Sequence, residues 1–220
     1  MSAPDAYYIT TPIYYVNDAP HIGHAYTTLA CDALARFMRL DGRRVRLLTG
    51  TDEHGQKVEK AAQEAGLDPQ AFTDRVSERF RELARVMDVS NDDFIRTTEP
   101  RHVEAVQALW QQLRDAGQIY LGTYAGWYSV RDEAFFAESE LVDGKAPTGA
   151  PVEWVEEPSY FFRLSEWQGR LLDFYERNPD CILPASRRNE VVSFVRGGLQ
   201  DLSVSRTSFR WGIPVPDDPD

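Results

Sequence analysis

Three of the four histidines in the 220-residue chain, His21, His24 and His54, lie within its first 54 positions, and Asp52 and Glu53 stand directly before the last. Imidazoles and carboxylates so spaced support two chemistries, against the plain alternative that each histidine is a hydrogen-bonded residue near a helix end. His21 and His24, at i and i+3, could share a metal ion with Asp52 or His54 as a third ligand. Against this, no His-Glu-x-x-His stretch is present, and Gly23 between the histidines supplies no ligand. The other chemistry is nucleotide binding. Gly23 has no side chain, so a purine could lie flat on the backbone while His21 and His24 donate to a triphosphate. In adenylyl transfer a carboxylate attacks the α-phosphorus and negative charge spreads over the phosphate oxygens. That step needs placed donors more than a general base, each worth on the order of 3 kcal/mol.

Such residues need a sheet edge to hold them. Residues 7–15 read as one buried strand, marked by Tyr7, Tyr8, Ile9, Ile13, Tyr14 and Tyr15. Asn17, Asp18 and Pro20 then predict a turn. From His21 to about residue 40 the spacing is helical, with Ala25, Leu29, Ala33 and Phe37 recurring every four residues. Asp41-Gly42 stops this helix, and residues 45–49 read as a second strand. The result is a βαβ unit with a parallel sheet and a right-handed crossover. Residues 50–55, Gly-Thr-Asp-Glu-His-Gly, follow at the carboxyl end of the second strand, so they share one cleft with the His21–His24 turn.

Further helices are predicted over 56–66, 69–88 and 99–116, the last stopped by Gly117. From 118 the texture changes to short aromatic strands at 119–122, 126–130, 152–155 and 159–162, punctuated by Asp143-Gly144 and Gly149-Ala-Pro151. Helical patterns return at 165–177 and 185–196, before Gly197-Gly198. The fold class is therefore α/β: the first half of a doubly wound parallel sheet carrying a β-rich insertion. The domains are 1–117, 118–204 and 205–220.

The net charge of −11 argues against broad, non-specific nucleic-acid binding. Locally, however, residues 184–211 carry Arg187, Arg188, Arg196, Arg206 and Arg210 against Glu190 and Asp201. That excess is either a solvated helix face or a nucleic-acid contact. No apolar run approaches the ~20 residues that span a bilayer, and the N-terminus has no signal-peptide pattern. Two cysteines, Cys31 and Cys181, fit a reducing compartment, so the expectation is a cytoplasmic protein without membrane contact.

Residues 12–24, Pro-Ile-Tyr-Tyr-Val-Asn-Asp-Ala-Pro-His-Ile-Gly-His, resemble the HIGH signature of the class I aminoacyl-tRNA synthetases, specifically the methionyl-tRNA synthetases. Leu48-Thr-Gly-Thr-Asp-Glu-His-Gly-Gln-Lys57, Ser159-Tyr-Phe-Phe-Arg-Leu164, Arg187-Arg-Asn-Glu-Val191 and Asp201-Leu-Ser-Val-Ser-Arg-Thr-Ser-Phe209 are similar to the same family, in the same order. The resemblance implies an ATP-dependent ligase joining methionine to its tRNA through methionyl-adenylate, with magnesium accompanying ATP. It implies that His21, Gly23 and His24 hold ATP, that Ile13 and Tyr15 line the methionine pocket, and that Asp52 accepts from the substrate ammonium. Arg206 matches an arginine that helps adenylate formation. It further implies that 1–117 is the N-terminal half of the catalytic domain, that 118–204 is the connective peptide near the tRNA acceptor end, and that 205–220 returns toward the catalytic domain.

Two departures bear on these expectations. Where many relatives carry a zinc-binding Gly-Lys-Cys-Pro-x-Cys-Gly, this chain reads Gly144-Lys-Ala-Pro-Thr-Gly149, and Ser129 replaces another cysteine. No structural zinc is expected, and the knuckle is expected to rest on Trp127, Tyr128, Phe135, Phe136 and Trp154. The Lys-Met-Ser-Lys-Ser motif is also missing, with Lys57, Lys60 and Lys145 the only lysines, and so is an anticodon-binding domain. The expectation is the N-terminal part of a longer enzyme, inactive alone. A non-catalytic synthetase-like binding module and a metal-dependent hydrolase are the alternatives.

Overall fold

The computed structural model describes residues 5–132, 134–207 and 209–218, apart from the side chain of Phe135. They form two compact units, one of residues up to 107 with 209–214, the other of 108–208 with the residues from 215 on.

In the first unit, Pro12 decides how the opening segment is laid down. Lacking an N–H, it interrupts the extended chain, so the single strand predicted over 7–15 is two: β1 (Ala6–Thr10) and β2 (Tyr14–Tyr15). Both run parallel along the same side of β3 (Arg44–Asp52), pairing Thr10 with Leu48 and Tyr14 with Thr51. Thr11 bridges the gap, its N–H donating to Leu48 O at 3.0 Å and its hydroxyl lying 2.7 Å from that of Thr49. Of the six apolar residues predicted to be buried there, only Tyr14 is; Tyr8, Ile13 and Tyr15 are exposed, because β1 and β2 form an edge of the described sheet.

On the other side of β3 lies β4 (Asp93–Arg96), paired from Leu48–Asp93 to Thr51–Arg96. Its four residues, with only Phe94 buried, are too short to show a period, and they carry no strand signal in the sequence. The close pairing explains Gly50, where a Cβ would stand 2.0 Å from Ile95 O. β3 runs on past the predicted end at 49 to Asp52.

Helix α1 (Ile22–Leu40) forms where predicted but turns a different face inward. Its buried residues are Thr28, Asp32 and Ala35, whereas Leu29 and Phe37 of the predicted stripe are exposed. The polar face goes inward because every group on it is matched. The Thr28 hydroxyl lies 2.8 Å from that of Tyr14, and Asp32 accepts from Ser90 N at 2.7 Å and from Arg36 Nε at 2.7 Å. Helices α2 (Gln56–Glu64) and α3 (Pro69–Val86) follow, the latter capped by Asp68, which accepts from Gln70 N at 2.9 Å. Val58, Ala62, Phe72, Val76 and Phe80 from these helices join Tyr14, Val16 and Phe94 in the core, with Trp211 packed against it. Helix α4 (Pro100–Asp115) spans the boundary between the units.

The second unit holds an antiparallel sheet in the order β6 (Ala134–Phe136), β5 (Ile119–Ser129), β7 (Glu153–Phe162), β8 (Leu202–Ser203). The four short strands predicted here are two long ones, because β5 and β7 pair without a break from Ile119–Phe162 to Tyr128–Glu153. Pro158 is tolerated since β8 pairs only with Phe161 and Phe162, so among the described residues the ladder partner of Pro158 is Thr123 of β5 alone. Helices α5 (Gln168–Arg177) and α6 (Ala185–Arg196) complete the unit.

The knuckle is held by more than the expected aromatic packing. Trp127 and Trp154 do pack edge to face, with centroids 5.4 Å apart, and Tyr128 is buried. The loop itself is tied by a polar clasp: Asp132 accepts from the Ser129 hydroxyl at 2.8 Å and from that of Thr148 at 2.6 Å, with Ser129 fully buried. The Phe135 side chain lies outside the described residues.

Candidate active site

The turn from β2 into α1 is held by its own two histidines. His21 is the N-cap, in extended backbone conformation, and its Nδ1 accepts from Gly23 N at 3.1 Å. His24, three residues on, returns the bond: its Nδ1 accepts from His21 N at 3.0 Å. This is a reciprocal capping box built from imidazoles. The rings stack with centroids 3.8 Å apart, and His24 also packs edge-on against Tyr14 and Phe80. Burial, and then the neighbouring His21, push the His24 imidazole below its ordinary pKa.

Gly23 leaves room for this cap before any ligand arrives. A Cβ on it would lie 2.9 Å from His21 Cε1 and 3.1 Å from Nδ1, displacing the ring from its cap.

Beside this turn opens a cleft of about 410 Å³ whose walls include Ile13, Tyr14, Tyr15, His21 and His24. Asp52 pairs in register with Tyr15 at the carboxyl ends of β3 and β2, so the two side chains leave the same face of the sheet. The structure thus brings Ile13, Tyr15, His21 and His24 to one cleft and sets Asp52 next to Tyr15. Arg206 belongs to the second unit, where its Nη1 donates to Ser203 Oγ at 2.6 Å and to Ser205 O at 2.7 Å, and its guanidinium lies 5.9 Å from the Tyr124 ring centroid.

Arg96, Thr98 and Trp211 carry no signal for this site in the sequence, and the partners of Glu53 and His54 are not legible there. Glu53 is fully buried and accepts from Thr51 Oγ1 at 2.7 Å, Arg96 Nε at 2.8 Å, Arg96 Nη2 at 2.9 Å and Thr98 Oγ1 at 2.5 Å. Trp211 closes the same turn, its indole N–H donating to Glu53 O and its carbonyl accepting from Gly55 N at 3.0 Å. His54 lies against the Trp211 ring, and burial lowers its pKa. The one available signal was Glu53 itself, in the Asp52-Glu53-His54 run that follows β3; Arg96 and Thr98, which bind it, are distant in sequence. Among the described residues no three His, Cys, Asp or Glu side chains come together as a protein-held metal ion requires.

Residues 7–151 and 148–220 match the family of tRNA synthetases class I (M). The chain belongs to that family. It is 71% identical over 213 residues to the methionine–tRNA ligase of Rickettsia felis and 61% identical over 224 residues to that of Rhizobium meliloti. These alignments cover 96% and 100% of this chain but only 42% and 43% of the relatives, so the chain spans less than half their length. Among solved structures it is similar to Mycobacterium tuberculosis methionyl-tRNA synthetase in complex with methionyl-adenylate, with a TM-score of 0.92 and 56% identity over 98% of this chain and 43% of that one. The parallel sheet of β1–β4 is thus the Rossmann-like sheet of a class I synthetase, as the motifs imply. No helix is long and apolar enough to cross a membrane, among the described residues.

Proposed function

We propose that this chain forms the methionine- and ATP-binding part of a methionine–tRNA ligase. The observation that carries the reading is the imidazole pair at the start of α1, opening on the cleft that Ile13 and Tyr15 share. In the first step the methionine carboxylate attacks the α-phosphorus of ATP; a C(O)–O–P linkage forms, and the bond to pyrophosphate breaks. His21 and His24 donate to the phosphate oxygens as charge builds there, and Gly23 keeps their rings in place. Asp52 accepts from the methionine ammonium, a charge-assisted bond worth about 1.5–3 kcal/mol. Magnesium enters with ATP, as part of that substrate. In the second step a 3′-terminal tRNA hydroxyl attacks the adenylate carbonyl and AMP departs.

Residues 1–117 serve as the N-terminal half of the catalytic domain, 118–204 as the connective peptide near the tRNA acceptor end, and 205–220 as the return. Arg206 assists adenylate formation. The exposed face of α6 suits a nucleic-acid contact through Arg196, whereas Arg187 is engaged by Glu190 at 2.7 Å. Cys31 and Cys181 are both free thiols, in keeping with a cytoplasmic setting.

Methionine-dependent pyrophosphate exchange by the full-length protein tests this reading. His24→Ala should slow exchange by about 10²–10³-fold. Asp52→Asn should raise the KM for methionine by roughly ten- to a hundredfold. Exchange indifferent to His24→Ala would remove the histidines from the chemistry. A protein that binds methionine and ATP without exchanging would be a binding module instead.

A further inference from the structure

Resting on the reading above, in which the two imidazoles meet the phosphates, we propose that the α1 cap locks both His21 and His24 in the neutral tautomer with the proton on Nε2. Each Nδ1 receives a main-chain N–H, from Gly23 at 3.1 Å and from His21 at 3.0 Å. A ring nitrogen that accepts such a bond must present its lone pair, so the proton of the neutral ring resides on the other nitrogen. The lock is mutual. His21 supplies the N–H that fixes His24, and the cap that keeps His21 in its extended conformation is the one its own ring makes with Gly23.

Among the described residues neither Nε2 has a hydrogen-bond partner, so both N–H groups remain for a ligand. Protonating either Nδ1 would set two hydrogens against each other and open the cap. A doubly charged pair, with centroids 3.8 Å apart, would also repel. The downward shift of His24 by burial and by His21 points the same way. The helix start therefore offers two neutral, pre-aimed N–H donors that need no rearrangement when charge develops on the phosphate oxygens. Gly23 is part of the device, since a side chain there would push His21 off its donor.

Amide isosteres separate the two nitrogens. Asparagine carries its oxygen where histidine has Nδ1, whereas glutamine reaches to the place of Nε2 with an N–H. In the full-length protein, His21→Asn and His24→Asn should keep the amide hydrogen-exchange protection of the first α1 turn and lose about 10²–10³-fold in pyrophosphate exchange rate. His21→Gln and His24→Gln should lose that protection yet exchange pyrophosphate faster than the asparagine variants. In wild-type protein labelled with ¹⁵N-histidine, both rings should show a pyridine-type Nδ1 and a pyrrole-type Nε2. Asparagine variants at least as active as the glutamine ones, or a pyrrole-type Nδ1 in either ring, would overturn the proposal. Exchange indifferent to every substitution, with the nitrogen signals as expected, would leave the tautomers standing and remove their phosphate role.

Discussion

Arg96 grips Glu53 with both arms of its guanidinium, Nε to Oε1 at 2.8 Å and Nη2 to Oε2 at 2.9 Å, around a carboxylate that is fully buried. The glutamate stands one residue beyond Asp52, and its backbone carbonyl takes the Trp211 indole N–H. A buried charge pair thus sits directly behind the turn that presents the proposed ammonium acceptor. Its weight lies in what happens when half of it goes.

Replacing Arg96 by methionine leaves an unpaired buried carboxylate and should destabilise the fold by about 3–5 kcal/mol. Glu53→Gln in the same background should restore part of that loss, since the stranded charge is then gone. Urea unfolding of the two single variants and the double variant measures this coupling directly.

Gly23→Ala places a Cβ 2.9 Å from His21 Cε1 and 3.1 Å from its Nδ1, so the ring must shift and the cap weakens. Loss of an N-cap costs about 1 kcal/mol. A lower melting temperature together with slower pyrophosphate exchange is expected in the full-length variant, although position 23 itself carries no reacting group.

Acid should act through Asp93, whose carboxyl is held at about 2 instead of 3.8, first by hydrogen bonds from Arg101. Arg101 donates to it at 2.7 Å and 3.0 Å. Between those two values the unfolded chain binds the extra proton, so stability rises with rising pH there and is lost on acidification. The contribution is complete above pH 3.8 and disappears as pH drops through about 2. In denaturation series from pH 5 to pH 2, Asp93→Asn should show a shallower loss than the unsubstituted protein.

In the second unit, Asp132→Ala removes the acceptor for the Ser129 and Thr148 hydroxyls, bonded at 2.8 Å and 2.6 Å. Ser129 is fully buried, and its stranded hydroxyl should cost about 1–3 kcal/mol. Faster amide exchange across residues 129–150, with the first unit unchanged, is the expected signature. Substituting Trp154, which is 55% exposed, should matter less.

Much of this protein is set by local order along the chain. The turn signals at Asn17, Asp18 and Pro20 followed by helical spacing fix the start of α1, and Pro69 after Asp68 fixes that of α3, because caps and turns depend on neighbours within a few residues. The motif stretches at 12–24 and 48–57 likewise carry the family in the residues themselves. Tertiary structure decided the rest. The buried face of α1 was hidden in the sequence because Thr28 and Asp32 go inward only where Tyr14 and Ser90 await them. β4 exists because β3 offers it an edge, and β5 and β7 are long because residues 123–125 and 156–158, which carry no strand signal of their own, pair with each other. Glu53 is buried as an ion because Arg96 and Thr98, more than forty positions away, converge on it. Polar groups enter a core only with partners, and partners distant along the chain meet only once it has folded.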